Sequence, residues 1–209
     1  MPAAALLVLL LFASITLDAA QLEEVWQDAG VRNGVRLSFR DDAELNARQV
    51  RAVAELPHPP DEIIDVVCDF TQLLDPDTRE SRVLAGDIGA DYEIYLRYAP
   101  RYMVVSARDV VVRVEPEDNG CLWSEVTGRL GAQSGAVRMP LLRGSWSVER
   151  IDAARSRVTY QIAVNPGGSI PGWMVRRGAV SALPEVIRRV AHCLSIPERP
   201  EGRCPKPAS

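Results

Sequence analysis

The chain has 209 residues, 47% of them hydrophobic and 25% charged, with a formal net charge of −4. That length supports one domain with a sizeable core and is short for two. The acidic balance argues against nucleic acid as the main partner, and no polybasic block is present to hold the protein on anionic lipid by charge alone.

Residues 1–20, MPAAALLVLLLFASITLDAA, carry an apolar run from Ala3 to Ile15. The run is too short to span a bilayer comfortably and about right for the core of a signal peptide. Ala19 and Ala20 supply small residues for cleavage, although no Lys or Arg precedes the run and Asp18 fits a cleavage site poorly. Export to the periplasm or the exterior is the expected localisation, with an N-terminal membrane anchor as the alternative. Four cysteines follow, Cys68, Cys121, Cys193 and Cys204, which an oxidising compartment permits to pair in any of three connectivities. A Cys193–Cys204 bond would pin the Pro-rich tail, residues 197–209, to the last helix. Neither CxxC nor Cys/His metal spacing occurs, so no metal and no cofactor is expected.

After the leader, LEEVWQDAG reads as a short helix ending at Gly30, with Leu22, Val25, Trp26 and Ala29 on one side. GVRLSFRD, from Gly34, and Glu44 to Leu56 read as strands. Pro59 and Pro60 then start a helix with Asp61 and Glu62 in its first turn, where the helix dipole favours acids. From Arg79 onward the pattern alternates. Tyr92, Ile94, Leu96 and Tyr98 share one strand face; Val110, Val112 and Val114 share another, with Asp109, Val111 and Arg113 opposite. EDNG, ending at Gly120, is a hairpin signal. CLWSEVTGRL, a strand region from Val137 to Arg150, and RVTYQIAV follow, the last with Val158, Tyr160, Ile162 and Val164 on one face. A loop rich in glycine and proline, NPGGSIPGWMVRR, then leads into the longest helical pattern, Trp173 to Leu194. Its stripe is Val180, Leu183, Ile187, Val190 and Leu194, and Pro184 interrupts it near Val180. Antiparallel hairpins with one long terminal helix imply an α+β fold.

Three segments resemble the START lipid-transfer domains of the helix-grip, Bet v 1-like superfamily. They are VWQDAGVRNGVRLSFR, the Ser106–Val110 segment SARDV, and VRMPLLRGSWSVERIDAARSRVTYQIAVNPGGSIPGWMVRRGAV. The third is similar to the family's Gly-x-Trp strand, Thr-x-Tyr strand and Pro-Gly-Gly-x-Ile-Pro-x-Trp entry to the last helix. The resemblance runs from about Trp26 to about Leu194. It implies a helix-grip fold over residues 21–196, in which a curved antiparallel sheet wraps a long C-terminal helix around an internal apolar cavity. One departure is TQLLDPDTRES, where Leu73 and Leu74 replace a tryptophan that many relatives carry, a change expected to reshape one cavity wall.

On that reading Tyr98, Met103, Trp123 and Trp146 are candidates for the cavity wall, and Ile170, Trp173, Met174 and Arg177 for its lid. Ser169 could cap the last helix. Arg108 and Asp109 must point to opposite faces of a strand, so one of them could meet a ligand head group in the cavity. An ion pair with another strand is the favoured role for that dipeptide, and Arg138 and Arg143 pose the same choice. Neither His58 nor His192 lies in a nucleophile arrangement, and GAQSGAV lacks GxSxG spacing. The function implied is non-enzymatic: a monomer that binds or transfers a lipid or other hydrophobic small molecule, gated by residues 165–177 and the last helix, with transient membrane contact. The alternatives are a cyclase- or aromatase-like enzyme using the same cavity and a protein-interaction module with a collapsed one.

Overall fold

The computed structural model describes residues 26–73, 77–100, 106–196 and Cys204. The leader, Leu74, Met103 and the tail apart from Cys204 lie outside the described residues. In chain order the elements are β1 (Gln27–Arg32), β2 (Val35–Asp42), β3 (Ala47–Leu56), α1 (Pro60–Val67), β4 (Thr78–Gly86), β5 (Tyr92–Tyr98), β6 (Ala107–Glu117), β7 (Gly120–Glu125), β8 (Ala136–Arg138), β9 (Leu141–Arg150), β10 (Ser156–Asn165) and α2 (Gly172–Leu194). One curved sheet orders its strands β1-β2-β3-β10-β9-β7-β6-β5-β4, antiparallel throughout that path. Short β8 joins it in parallel to β6.

The first element corrects the sequence reading. The three-and-four spacing of apolar residues before Gly30 predicts a helix, but Gln27–Arg32 is an edge strand paired with β2, with a bulge between Asp28 and Gly30. The deciding signal is Asn33-Gly34, where both residues have positive φ, 52° and 78°. A two-residue turn of that hand joins strands whose twist matches it, so a strand must lie on each side. Trp26 then sits beneath the guanidinium groups of Arg40 and Arg51, 4.9 and 4.2 Å from their carbons.

The other elements follow the residues that predict them. The α1 helix begins behind Pro59, with Asp61 and Glu62 in its first turn, and buries Pro60, Ile63, Val66 and Val67. On β5 and β6, Tyr92, Ile94, Leu96, Val110, Val112 and Val114 enter the core on one face. In α2 the second half buries Leu183, Ile187 and Val190 against the sheet and α1. Residues 172–182 all remain at least partly exposed.

The outer face of β5 and β6 is also covered. Opposite Val112 the β7 strand ends, and after one further bond from the Val126 N–H to the Val111 carbonyl residues 107–110 of β6 would be left without a partner on that side. Residues 126–140 cross back over this face, and β8 pairs with Ala107, Arg108 and Asp109. Asp109, 1% exposed, holds the crossing through a bidentate pair with Arg138, at 2.9 and 3.1 Å. Arg138 also donates to the carbonyls of Leu130 and Gly131. Nearby, Glu93 lies between Arg113 and Arg129, at 2.7 and 2.8 Å.

Two disulfides, Cys68–Cys121 and Cys193–Cys204, select one of the three connectivities. The first ties the residue after α1 to β7; the second ties the tail to the end of α2, where the Cys204 N–H donates to the Gln72 carbonyl. The buried Tyr92 hydroxyl donates to the Cys68 carbonyl at 2.7 Å and accepts from the Phe70 N–H at 2.9 Å. Burial pushes this hydroxyl well above the ordinary tyrosine range, so it stays protonated and continues to donate.

Two outcomes are expected. Asp109→Asn should lower stability in urea denaturation by about 2–3 kcal/mol, below the ~3–5 of a fully buried pair because Arg138 keeps 29% exposure. For Glu93, the hydrogen bond from Arg113 leads in holding its carboxyl below the ordinary value of 4.5, with Arg129 adding attraction against desolvation. A carboxyl lowered in the folded state stabilises the protein above its unfolded pKa and loses that contribution as pH falls through the folded one. Melting temperature should therefore drop below about pH 4.5, and Glu93→Gln should drop less over the same interval.

Candidate functional site

Between the inner face of the sheet and α2 lies a pocket of about 400 Å³. Its back wall is aromatic, built from strands that present alternate residues inward. Trp123 on β7, Trp146 on β9 and Tyr160 on β10 contribute it, with Phe70 beyond α1. The Tyr160 ring lies 5.7 Å from Trp123 and 4.2 Å from Trp146, and Phe70 meets Trp123 edge-on at 5.3 Å. Small residues on the inner side of α2, Gly178 and Ala179, leave the space that these rings face.

The aromatic wall depends on Gly144, the glycine of the Gly-x-Trp strand. It pairs with Trp123 across β7 and β9, and the indole lies over it. A Cβ at Gly144 would collide with that indole and with the Gln161 carbonyl.

The glycine-rich loop is shaped around Arg108. This side chain, 7% exposed, is on the inner face of β6 and also lines the pocket. Its Nε donates to the Pro166 carbonyl at 2.7 Å and its Nη2 to the Gly167 carbonyl at 3.2 Å. Nη1 donates to the carbonyls of Ser106 and Ala107. Asn165 folds the start of the loop by accepting from the Gly167 N–H at 2.9 Å. Gly167 and Gly168 both have φ of +67°, and a Cβ on Gly168 would come 3.1 Å from Arg108 Nη2. Close approach of a backbone to a buried guanidinium, at positive φ, is a position for glycine.

Of the residues predicted for the site, Tyr98, Arg108, Trp123 and Trp146 line the pocket. Arg138 does not: its strand places it on the outer face, paired with Asp109. The choice posed for the Arg108–Asp109 dipeptide divides between its members, since Asp109 makes the ion pair and Arg108 faces the pocket. Arg143 pairs with Glu125. Ile170 lies instead in a polar groove with Asp41, Arg48 and Arg176. Trp173 is 62% exposed, and Met174 and Arg177 are exposed beside it. Trp173 lies roughly a quarter turn away from Leu183 around the helix, which turns it off the buried stripe. The helix starts without a side-chain cap: Pro171 holds the N-cap position, and Ser169 lies two residues too early to serve.

Leu73 lines the pocket, on the wall that the TQLLDPDTRES departure is expected to reshape, whereas sequence reasoning missed Leu142, Tyr160 and Arg189. Tyr160 was legible as part of the inward face of β10. Arg189 reads as a flank of the helical stripe, yet it is buried and donates to the Leu73 carbonyl at 3.3 Å.

No family model matches the chain. An uncharacterized protein of Pseudomonas aeruginosa is 32% identical over 83 residues, which are 37% of this chain and 41% of that protein. The match thus spans less than half of that relative's length. Among solved structures, a STAR-related lipid transfer protein from Xanthomonas axonopodis has a TM-score of 0.69 at 27% identity, covering 82% of this chain and 99% of its own. Human StAR-related lipid transfer protein 5 has a TM-score of 0.70 at 15% identity, over 82% of this chain and 86% of its own. The human StarD13 lipid transfer and protein localization domain has a TM-score of 0.70 at 16% identity, over 84% and 91%. At those identities the two human domains show the fold alone. The chain therefore has the START fold, the helix-grip architecture of bacterial and human StAR-related lipid transfer domains.

Proposed function

We propose that this protein binds a lipid or comparable hydrophobic small molecule in the pocket beneath α2 and performs no chemistry on it. The observation that carries this reading is the pocket itself: about 400 Å³, walled by Trp123, Trp146 and Tyr160. Its fold is shared with a bacterial protein described as a lipid transfer protein. A concave, mostly apolar site with a few polar groups is the usual form of a small-molecule site. Burial of apolar ligand surface against such walls supplies affinity, at about 25 cal/mol per Å² before ordering costs.

Entry is assigned to the first half of α2. Residues 172–182 bury no side chain fully, whereas the second half is anchored by Leu183, Ile187 and Val190. Pro184 lacks the N–H that would bond the Val180 carbonyl, which weakens the helix between the two halves. Segments with few buried contacts open at low free energy. The loop before α2 is clamped at Pro166 and Gly167 by Arg108, so the segment free to open lies between this clamp and Leu183. Trp173 and Met174, with Arg176 and Arg177, form an apolar and basic tip suited to brief contact with a membrane during loading. Two disulfides support export to an oxidising compartment.

A long-chain bromo-alcohol, kept below its micelle concentration, tests the reading because bromine quenches nearby tryptophan fluorescence. Saturable quenching at about one ligand per protein is expected from Trp123 and Trp146. Ala179→Phe, which fills the pocket from the helix side, should weaken it by about tenfold or more. The same variant should melt within a few degrees of wild type. Unsaturable quenching, or equal quenching in Ala179→Phe, would overturn the proposal.

A further inference from the structure

The pocket carries a charge that an uncharged lipid would leave uncompensated. Arg108 is buried, and every partner it has among the described residues is a neutral carbonyl, of Ser106, Ala107, Pro166 or Gly167. The neighbouring carboxylate, Asp109, points to the opposite face and is taken by Arg138. A guanidinium has five N–H donors, and these four carbonyls use four of them, leaving one on Nη2. Carbonyl dipoles orient a buried cation but do not neutralise it, and an unneutralised cation in a low-dielectric wall attracts an anion strongly.

The rest of the pocket fits the same occupant. Arg189 is a second arginine on its wall, against one carboxylate, Asp77. The lining is thus formally positive in a chain whose net charge is −4. Away from Arg108 the wall becomes aromatic and aliphatic, with Trp123, Trp146, Tyr160 and Ile162. A volume of about 400 Å³ is near the lower end of the ~300–1,000 Å³ found for ligand pockets, which suits a single chain or compact ring system better than a two-chain phospholipid.

Resting on the proposed lipid-binding role, we infer that the ligand is a single-chain amphiphile with an anionic head, a carboxylate, seated against the Arg108 guanidinium. The apolar body lies along the tryptophan wall. Because the carbonyls of Pro166 and Gly167 share the same guanidinium, the head group also touches the base of the α2 gate. A charge-assisted hydrogen bond replaces one that water would otherwise supply, so the head adds selectivity to an affinity set by the tail.

Hexadecanoate and hexadecanol, which share a chain and differ in the head, separate the two ideas. Each is titrated at pH 8 by displacement of the bound bromo-alcohol. Wild type should prefer the acid by about ten- to a hundredfold, the range for a hydrogen bond to a charged group. Arg108→Gln should bring that ratio near unity and still bind the alcohol, which shows that its pocket is intact. A second readout needs no variant: hexadecanoate labelled with carbon-13 at the carboxyl is titrated in the bound state. Arg108 and Arg189 on the wall outweigh Asp77, so the bound carboxyl should titrate below an ordinary carboxylic acid. Equal binding of acid and alcohol by wild type, or an unshifted bound carboxyl, would refute the anionic head and leave lipid binding standing. Undiminished preference in Arg108→Gln would refute its placement at Arg108. Binding of neither ligand would remove both readings.

Discussion

Two neighbouring residues of opposite charge, pointing in opposite directions from one strand, organise this molecule. Alternation along β6 sends Asp109 outward and Arg108 inward. Asp109 fastens the 126–140 crossing through Arg138, which lets β8 complete the hydrogen bonding of β6. Arg108 fastens the loop that introduces α2, which sets where the long helix begins to cross the sheet. Had the two residues paired with each other, neither attachment would exist. Both side chains are almost wholly buried, so losing either one strands polar groups away from water.

With the helix base fixed in that way, the pocket follows from size. The inner faces of β7, β9 and β10 carry large rings, whereas the helix above them presents Gly178 and Ala179. Rings that stack on one another across three strands form a continuous wall instead of filling the gap toward the helix. Gly144 makes this arrangement compatible with the sheet, because it gives the Trp123 indole somewhere to lie. Further along, Leu183, Ile187 and Val190 close the core tightly. The second half of the helix is thus tightly packed and the first half lightly seated behind a clamped loop, the arrangement on which the proposed ligand entry rests.

Most of the architecture was legible in the sequence because two-residue alternation is strong in β5, β6, β9 and β10, and the 180–194 stripe is strongly helical. At β1 the apolar spacing of a short segment points to a helix, but Asn33-Gly34 is a turn that dictates strands around it, and the turn prevails. At the site, inward aromatics were predictable from alternation, and Trp123 and Trp146 line the pocket accordingly. The lid residues were not. Whether Trp173 faces the pocket depends on its angle about the helix relative to Leu183 and on where α2 leaves the sheet, both of which are tertiary facts. Likewise, alternation requires Arg108 and Asp109 to diverge but does not say which of them faces inward.

Whether the pocket carries a ligand is read by native mass spectrometry of the intact protein purified from the cells that make it, followed by solvent extraction of whatever it carries. One added mass at near-unit stoichiometry, released by solvent and matching a single-chain amphiphile, is the expected result. A bare protein mass that persists after incubation with lipid extract from those cells would contradict it.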